Sequence, residues 1–480
     1  MTNELLKKSF WGTFWSLIES FANYFLTFII GIILARLLSP SDFGLVGMLT
    51  VFISLSNVFI ESGFSNALIR KLNRSIQDYS TAFYFNIVVG IFFYGILFFS
   101  SPYIATFFSE PLLSSLLKVL GISILANSLC VVPNAILLSS LNIKRITQIN
   151  IVARIIVGII SIILAYNGFG VWTLVIQTVG FNILKSIAFW ISARWKPVKS
   201  FSMESFRYLW SFGSKMLVVG IISTFFLEVY NLVLGKFSTK ENLGYYSRSN
   251  QFAVLIPSIF LSVIQKIAIP TLSEFQDDKQ RLKENYRKYL HLISFIIFPL
   301  MFIATAIANP LIITILSDKW YNSILIFQIL CVGQAFSPLG TLNMCLLQVV
   351  NRTDYSLRLE VYKKILLSII IIFTIKEGLI ILVIGRSVYD IVATFMNFSC
   401  SKKILCYNYT EQVIDIAKYV LIAITCASIA YCTSLLFMNN LLKIFIGGLS
   451  GIISYLGITI LFRVEAINIL FDLKSKILKQ

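Results

Sequence analysis

The chain has 480 residues, 57% of them hydrophobic and only 13% charged, with a mean hydropathy of +0.84 and a formal net charge of +18. A water-soluble fold cannot bury that much apolar surface. The apolar runs are continuous rather than alternating, which excludes a β-barrel and leaves an all-α polytopic membrane protein.

Runs of about 20 apolar residues predict about 14 transmembrane helices. In chain order they lie near 10–34, 43–69, 81–100, 112–139, 147–166, 171–192, 211–234, 250–272, 290–309, 323–350, 359–376, 378–399, 413–437 and 441–462. Only Lys376-Glu377-Gly378 separates the eleventh from the twelfth. The first run is too long for the apolar region of a cleavable signal peptide, and no small-residue cleavage site follows it. The charge-dense stretch 273–289 carries Leu282, Tyr286 and Tyr289 at helical spacing, which predicts a short interfacial helix.

Lysine and arginine set the orientation. With the N-terminus cytosolic, about 27 of the 40 fall in cytosolic segments and tails and about 7 in outer loops. Arg70, Lys71 and Arg74, then Lys144 and Arg145, then Arg194, Lys196, Lys199 and Arg207 mark inner loops, whereas 100–112 and 166–171 carry no cation. An even number of spans puts both termini in the cytosol, with Lys474, Lys476 and Lys479 in the C-terminal tail. The net charge is therefore topology and attraction to anionic lipid, not a nucleic-acid surface.

The chain repeats at an offset of 200 residues. LARLLSPSDFGL (34–45) aligns without a gap on LGKFSTKENLGY (234–245), so that Arg36 falls on Lys236, Asp42 on Asn242 and Gly44 on Gly244. The stretches sit at equivalent places in two six-span blocks, as expected of a duplicated transporter. The division is 1–200 for spans 1–6, 201–405 for spans 7–12, and 406–480 for two added spans and a cytosolic tail. Both halves insert in one orientation, which predicts a pseudo-twofold axis along the membrane normal and a central cavity between two six-helix lobes.

Seven cysteines, an odd number with no C-x-x-C, read as buried small hydrophobes. The single histidine, His291, has no neighbours in sequence with which to build a metal site. No paired acid/base set, nucleophile elbow or phosphate-binding glycine loop is present, so no enzyme and no cofactor is expected.

Several motifs follow one another along residues 10–360. Ala35 to Pro40 leads to Asp42-Phe43-Gly44; Gly63 to Ile69 is followed by Ser80-Thr81-Ala82-Phe83 and Asn86; Gly168 to Val175 opens span 6; Leu243 to Ser247 and Pro270 to Asp278 flank span 8; Asp318-Lys319-Trp320 precedes span 10. In this order they resemble the polysaccharide transporter family of the MOP exporter superfamily. Its members are flippases for lipid-linked oligosaccharides in O-antigen, capsule and exopolysaccharide pathways. The second-half motif departs from the first, with Gly235-Lys236 and Lys240 where the first has Ala35-Arg36 and Pro40. Locally, Pro40 and Gly44 suit a tight turn with Asp42 capping span 2, and Gly168 and Gly170 suit the turn before the interfacial anchor Trp172.

Function is expected where polar groups are desolvated. At 1.5 Å per residue, Arg154, Lys185, Lys215 and Lys266 lie about 5–11 Å from the cytosolic ends of spans 5 to 8. Given the resemblance, they are candidates for the diphosphate of a polyprenyl-diphosphate oligosaccharide. Asn23, Asn57, Asn250 and Gln251 are candidates for its glycan. Snorkelling to the headgroups is the competing reading of the cations. Glu19 and Glu61 lie deeper, about 12–14 Å in; consecutive spans let them face one another, as a proton or sodium coupling site or as counter-charges. Glu228 is a candidate second ion site or outer gate. Arg36 and Lys236 line an outer exit or anchor helix ends to headgroups. Arg386 and Asp390, at i and i+4, read as an ion pair.

The implied protein is a MATE-like, monomeric flippase of the bacterial cytoplasmic (inner) membrane, working by alternating access with polymerase and export machinery as further partners. A cation or drug antiporter is the runner-up, disfavoured by the excess of lysine and arginine among the buried charges. A polysaccharide polymerase lacks its large outer loop here. A non-transporting partner of a polysaccharide synthase is the remaining alternative.

Overall fold

The computed structural model describes residues 3–61, 64–71 and 73–469. Gly63, the first residue of the Gly63–Ile69 motif, and the tail lysines 474, 476 and 479 lie outside them. Among the described residues every regular element is a helix. Two compact units form, Met1–Ser247 and Arg248–Gln480. They divide the chain by packing, inside a helix, whereas 200 and 405 divide it by repeat.

The first unit holds α1 (Asn3–Leu37), α2 (Pro40–Glu61), α3 (Phe64–Arg70), α4 (Ile76–Phe108), α5 (Leu112–Leu120), α6 (Ile122–Ser139), α7 (Ile143–Tyr166), α8 (Trp172–Ala193), α9 (Met203–Phe237) and the start of α10 (Lys240–Ser273). Here α1 lies along α7, α2 along α9, and α6 along α4 and α8. The second unit holds the rest of α10, then α11 (Lys279–Ala306), α12 (Ala308–Leu316), α13 (Ser323–Gln334), α14 (Ser337–Val349), α15 (Thr353–Thr374), α16 (Leu379–Leu405), α17 (Tyr409–Leu435) and α18 (Asn440–Leu461). In it α17 packs on α11 and α18, while α13, α14 and α15 pack on α16.

Thirteen helices among the described residues are long and apolar enough to cross a membrane. Two of them, Leu112–Ser139 and Ser323–Val349, each join two consecutive helices of the list above. The expected eleventh span falls on α15, a helix of 22 residues that carries Asp354, Arg358, Glu360, Lys363 and Lys364 and so misses the count. The expected interfacial helix at 273–289 is not separate. Asp278 caps Lys279 onward through Gln280 and Arg281, and the helix runs on as α11. Leu282 and Tyr286 turn into the second unit's core at 1% and 0% exposure.

Elsewhere local chemistry sets the helix starts. Ser75 and Asp78 form a full capping box at α4, and Lys71 pairs with the buried Asp78 at 2.7 Å. At α2 the cap is Ser39 rather than Asp42: Asp42, at the third helical position, accepts from the Ser39 amide at 2.9 Å and hydroxyl at 2.6 Å. The α7–α8 turn uses Gly168 at φ +78° and Gly170 at φ +52°, a left-handed geometry that side chains resist. The strap 194–202 is tied to α4, since Val198 donates to Ser80 Oγ and Ser202 to Thr81 Oγ1.

The repeat reappears as a contact inside the first unit. A Cβ on Gly44 would lie 1.8 Å from the Lys240 carbonyl oxygen, and one on Gly244 would lie 1.9 Å from the Pro40 carbonyl oxygen. Pro40 corresponds to Lys240, and Gly44 to Gly244, across the 200-residue offset. The first turns of α2 and α10 therefore cross backbone to backbone, and each needs the other's missing side chain.

Candidate functional site

Glu19, Asn23 and Thr27 recur every fourth residue on α1, and Thr147, Asn150 and Arg154 face them from α7. Asn150 donates to Glu19 Oε1 at 2.6 Å, and Thr147 Oγ1 lies 3.5 Å from Oε2. One turn on, Arg154 donates to Asn23 Oδ1 at 3.1 Å and Thr27 Oγ1 at 2.9 Å, with its guanidinium 4.6 Å from the centre of the Phe181 ring. Among the described residues no carboxylate pairs with Arg154. Its charge is held by neutral acceptors and a π face, which orient it without neutralising it.

The second constellation is a cavity of about 510 Å³ within the same unit. Glu61, Ser65, Asn127, Asn134 and Lys185 supply its polar lining, from α2, α3, α6 and α8. Asn127 is 5% exposed; its amide reaches Glu61 Oε1 at 2.6 Å and Asn57 Oδ1 at 3.1 Å. Glu61 thus takes its partner from α6 and Glu19 takes its own from α7. Each acid is bound to an asparagine of a different helix; they do not pair with one another. Lys185 and Glu61 line the cavity without forming an ion pair among the described residues.

The other candidates separate. Lys215 stands exposed on α9. Glu228 accepts from Asn231 at 2.7 Å and Ser54 at 3.4 Å, joining α9 to α2. Lys236 donates to the Phe107 carbonyl at 2.5 Å and sits over that ring, and neighbouring Lys240 pairs with Glu110 at 2.9 Å. Arg36 is exposed at the end of α1. Lys266, Asn250 and Gln251 belong to the second unit. There Lys266 is half-buried on α10, as is Asn250, and Gln251 accepts from the buried Arg248.

The second unit's own polar centres are ion pairs. Arg386 meets Asp390 at 3.3 Å as the spacing predicts, with Gln334 donating to the same carboxylate at 2.9 Å. Asp415 takes a two-pronged hydrogen bond from Arg287 at 2.5 and 2.8 Å and another from Tyr407. Burial and that carboxylate push the Tyr407 hydroxyl up. His291, Asp415 and Glu465 come within 4.8 Å of one another, a juxtaposition the sequence could not reveal. Arg287 and Lys418 already occupy their oxygens, Lys418 reaching Glu465 at 2.5 Å, and two fixed cations disfavour a metal there.

A family described as polysaccharide biosynthesis protein matches residues 33–325. The chain belongs to the polysaccharide biosynthesis protein family. Its relatives include the lipopolysaccharide biosynthesis protein WzxC of Escherichia coli K12, 24% identical over 86% of this chain and 85% of that one. The teichuronic acid biosynthesis protein TuaB of Bacillus subtilis 168 is 23% identical over 80% of each. The succinoglycan biosynthesis transport protein ExoT of Rhizobium meliloti is 22% identical over 64% of this chain and 62% of its own. In fold the family member is similar to the lipid II flippase MurJ in an inward closed conformation. That match has TM-score 0.76 at 17% identity, over 93% of this chain and 99% of that one. An inward-facing multidrug resistance MATE family transporter of the MOP superfamily matches at TM-score 0.60 and 15% identity, over 80% and 94%. The expected superfamily fold and multi-pass membrane character are thereby established, and these relatives and fold neighbours bear the names of transporters and biosynthesis proteins, not of enzymes.

Sequence reasoning missed Asn127, Asn134, Thr147 and Asn150. Charged residues in the spans, asparagines one turn from an acid on the same helix, and the Asn250-Gln251 pair drew the attention instead. Asn127 and Asn134, seven apart on α6, and Thr147, Asn150 and Arg154 on α7 show the same one-face spacing.

Proposed function

We propose that this member of the family is a flippase that carries polyprenyl-diphosphate-linked oligosaccharide repeat units across the bacterial cytoplasmic membrane by alternating access. The observation that carries the reading is Arg154, a cation at membrane depth whose hydrogen-bond partners are neutral. A cation already paired with a carboxylate would have to lose that partner to take a phosphate, whereas Arg154 does not. Lys185, in a polar cavity with asparagines, offers a second seat of the same kind. Within the first unit Lys215 extends the cationic path and Asn23 and Asn57 meet glycan hydroxyls; Lys266 for the diphosphate, and Asn250 and Gln251 for the glycan, are assigned the same roles within the second unit. The prenyl chain stays in lipid.

Glu19 and Glu61 exchange a proton or a sodium ion as the cations load and unload, with Glu228 the ion site farther along the path. Both termini are cytosolic, the protein works as a monomer, and polymerase and export machinery take the product. Opening to the outer side requires the Gly44–Gly244 crossing to part, and Arg36 and Lys236 then flank the exit. The test is flipping of a fluorescent polyprenyl-diphosphate disaccharide in vesicles containing the purified protein. Loss of flipping in Arg154→Ala with Lys185→Ala supports the reading; undiminished flipping removes both from the path.

Glu61 in the cavity favours a second reading, a cation antiporter. Cation-driven proton release from the same vesicles, without lipid flipping, would select it.

A further inference from the structure

A second cavity of the first unit, about 320 Å³, opens between α7 and α8 on residues that the proposed path does not use. Small residues, Ala153 on α7 and Ala188 on α8, are among its lining. Its walls are apolar and open, with Val152 at 54% and Ile187 at 51% exposure. One end is polar. Arg145, in the first turn of α7, donates to Ser192 Oγ in the last turn of α8 at 3.1 Å. Lys144, Arg194 and Lys196 flank that end in sequence.

The lining residues on α7 run from Arg145 to Ile156, which at 1.5 Å per residue is roughly 16 Å. Half of a hydrocarbon core of about 30 Å is the same length. The groove therefore spans one leaflet, with the cation at the headgroup end and hydrocarbon contacts along the rest. Among the described residues Ser192 takes one guanidinium N–H of Arg145, and the others are open to an anionic oxygen.

We propose that this groove holds one anionic phospholipid, its phosphate on Arg145 and one acyl chain against Ala153 and Ala188. Leaflet-length reach with a guanidinium at the headgroup end fits a phospholipid better than a polyprenyl chain, which outruns one leaflet. Lys185 and the groove residues share α8, so an occupied groove fixes the helix that presents Lys185 to the polar cavity. The inference stands apart from the flippase reading, because a resident lipid is read by binding rather than by transport.

The experiment is native mass spectrometry of the delipidated full-length protein. It is titrated with phosphatidylglycerol and phosphatidylcholine of identical chains, and separately with undecaprenyl phosphate. Wild type should retain one phosphatidylglycerol with about five- to tenfold preference over phosphatidylcholine, the scale of one cation near the headgroups. Arg145→Gln should abolish the preference, Arg145→Lys should keep most of it, and Ala188→Trp should lower retention of both phospholipids. Equal retention of the two by wild type, or an undiminished preference in Arg145→Gln, would overturn the site. Tighter retention of undecaprenyl phosphate than of phosphatidylglycerol would overturn the choice of occupant.

Discussion

Replacing Gly44 or Gly244 by alanine asks whether the crossing of α2 and α10 has to open. The added Cβ would sit 1.8 or 1.9 Å from a backbone oxygen, where a carbon–oxygen contact needs roughly 3.3 Å. The two turns must therefore part by about 1.5 Å, and neither obstacle is a side chain that can rotate away. Overpacking of this kind costs about 1–3 kcal/mol. Alanine's better helix propensity offsets up to about 1 kcal/mol of it, so a net penalty is steric in origin. A penalty near 2 kcal/mol that falls only on the crossed state would shift the balance toward the parted state about thirtyfold, at 1.4 kcal/mol per factor of ten. The assay is labelling of a cysteine at Ser238 by a membrane-impermeant maleimide in intact cells. Each alanine variant should label faster than its glycine parent by at least several-fold. Because one contact serves both glycines, the double variant should add little to either single one. Wild-type labelling in both single variants, at normal expression, would refute the idea that the crossing gates the outer side. Full additivity would refute its being one contact.

Arg154→Ala should weaken binding of a polyprenyl diphosphate about ten- to a hundredfold, the loss of a charged hydrogen bond, and Asn23→Ala should weaken it less; titration against purified protein decides. Glu19→Gln should abolish proton- or sodium-dependent transport while leaving glycolipid binding intact, and full coupled transport in that variant would end its role as an ion site. Cysteines at positions 167 and 439 should label from outside and those at 73 and 200 should not; the reverse pattern would invert the topology and move Arg154 and Lys185 to the outer leaflet.

Apolar run length made the helices legible, because a bilayer admits little else. The Arg386–Asp390 pair and the Gly168–Gly170 turn were legible because both are local. Partners that come from other helices were not. Nothing in the sequence says that Asn150 holds Glu19 and Asn127 holds Glu61; adjacency of spans 1 and 2 alone lets the two acids face one another. Asp42 has the chemistry of a cap, but it sits at the third helical position and bonds back to Ser39, which precedes the helix. Leu282 and Tyr286 carried the right spacing for an interfacial helix but pack into a core supplied by distant residues. The offset-200 repeat marks Gly44 and Gly244 as equivalent, and only the fold shows the Lys240 carbonyl filling the space beside Gly44 and the Pro40 carbonyl that beside Gly244.

The most direct measurement is the leaflet location of lipid-linked glycan in cells lacking this chain. Accumulation on the cytosolic leaflet, relieved by the wild-type chain but not by Lys215→Ala with Arg154→Ala, is the predicted result. Normal export in cells that lack this chain and any redundant flippase would contradict the account.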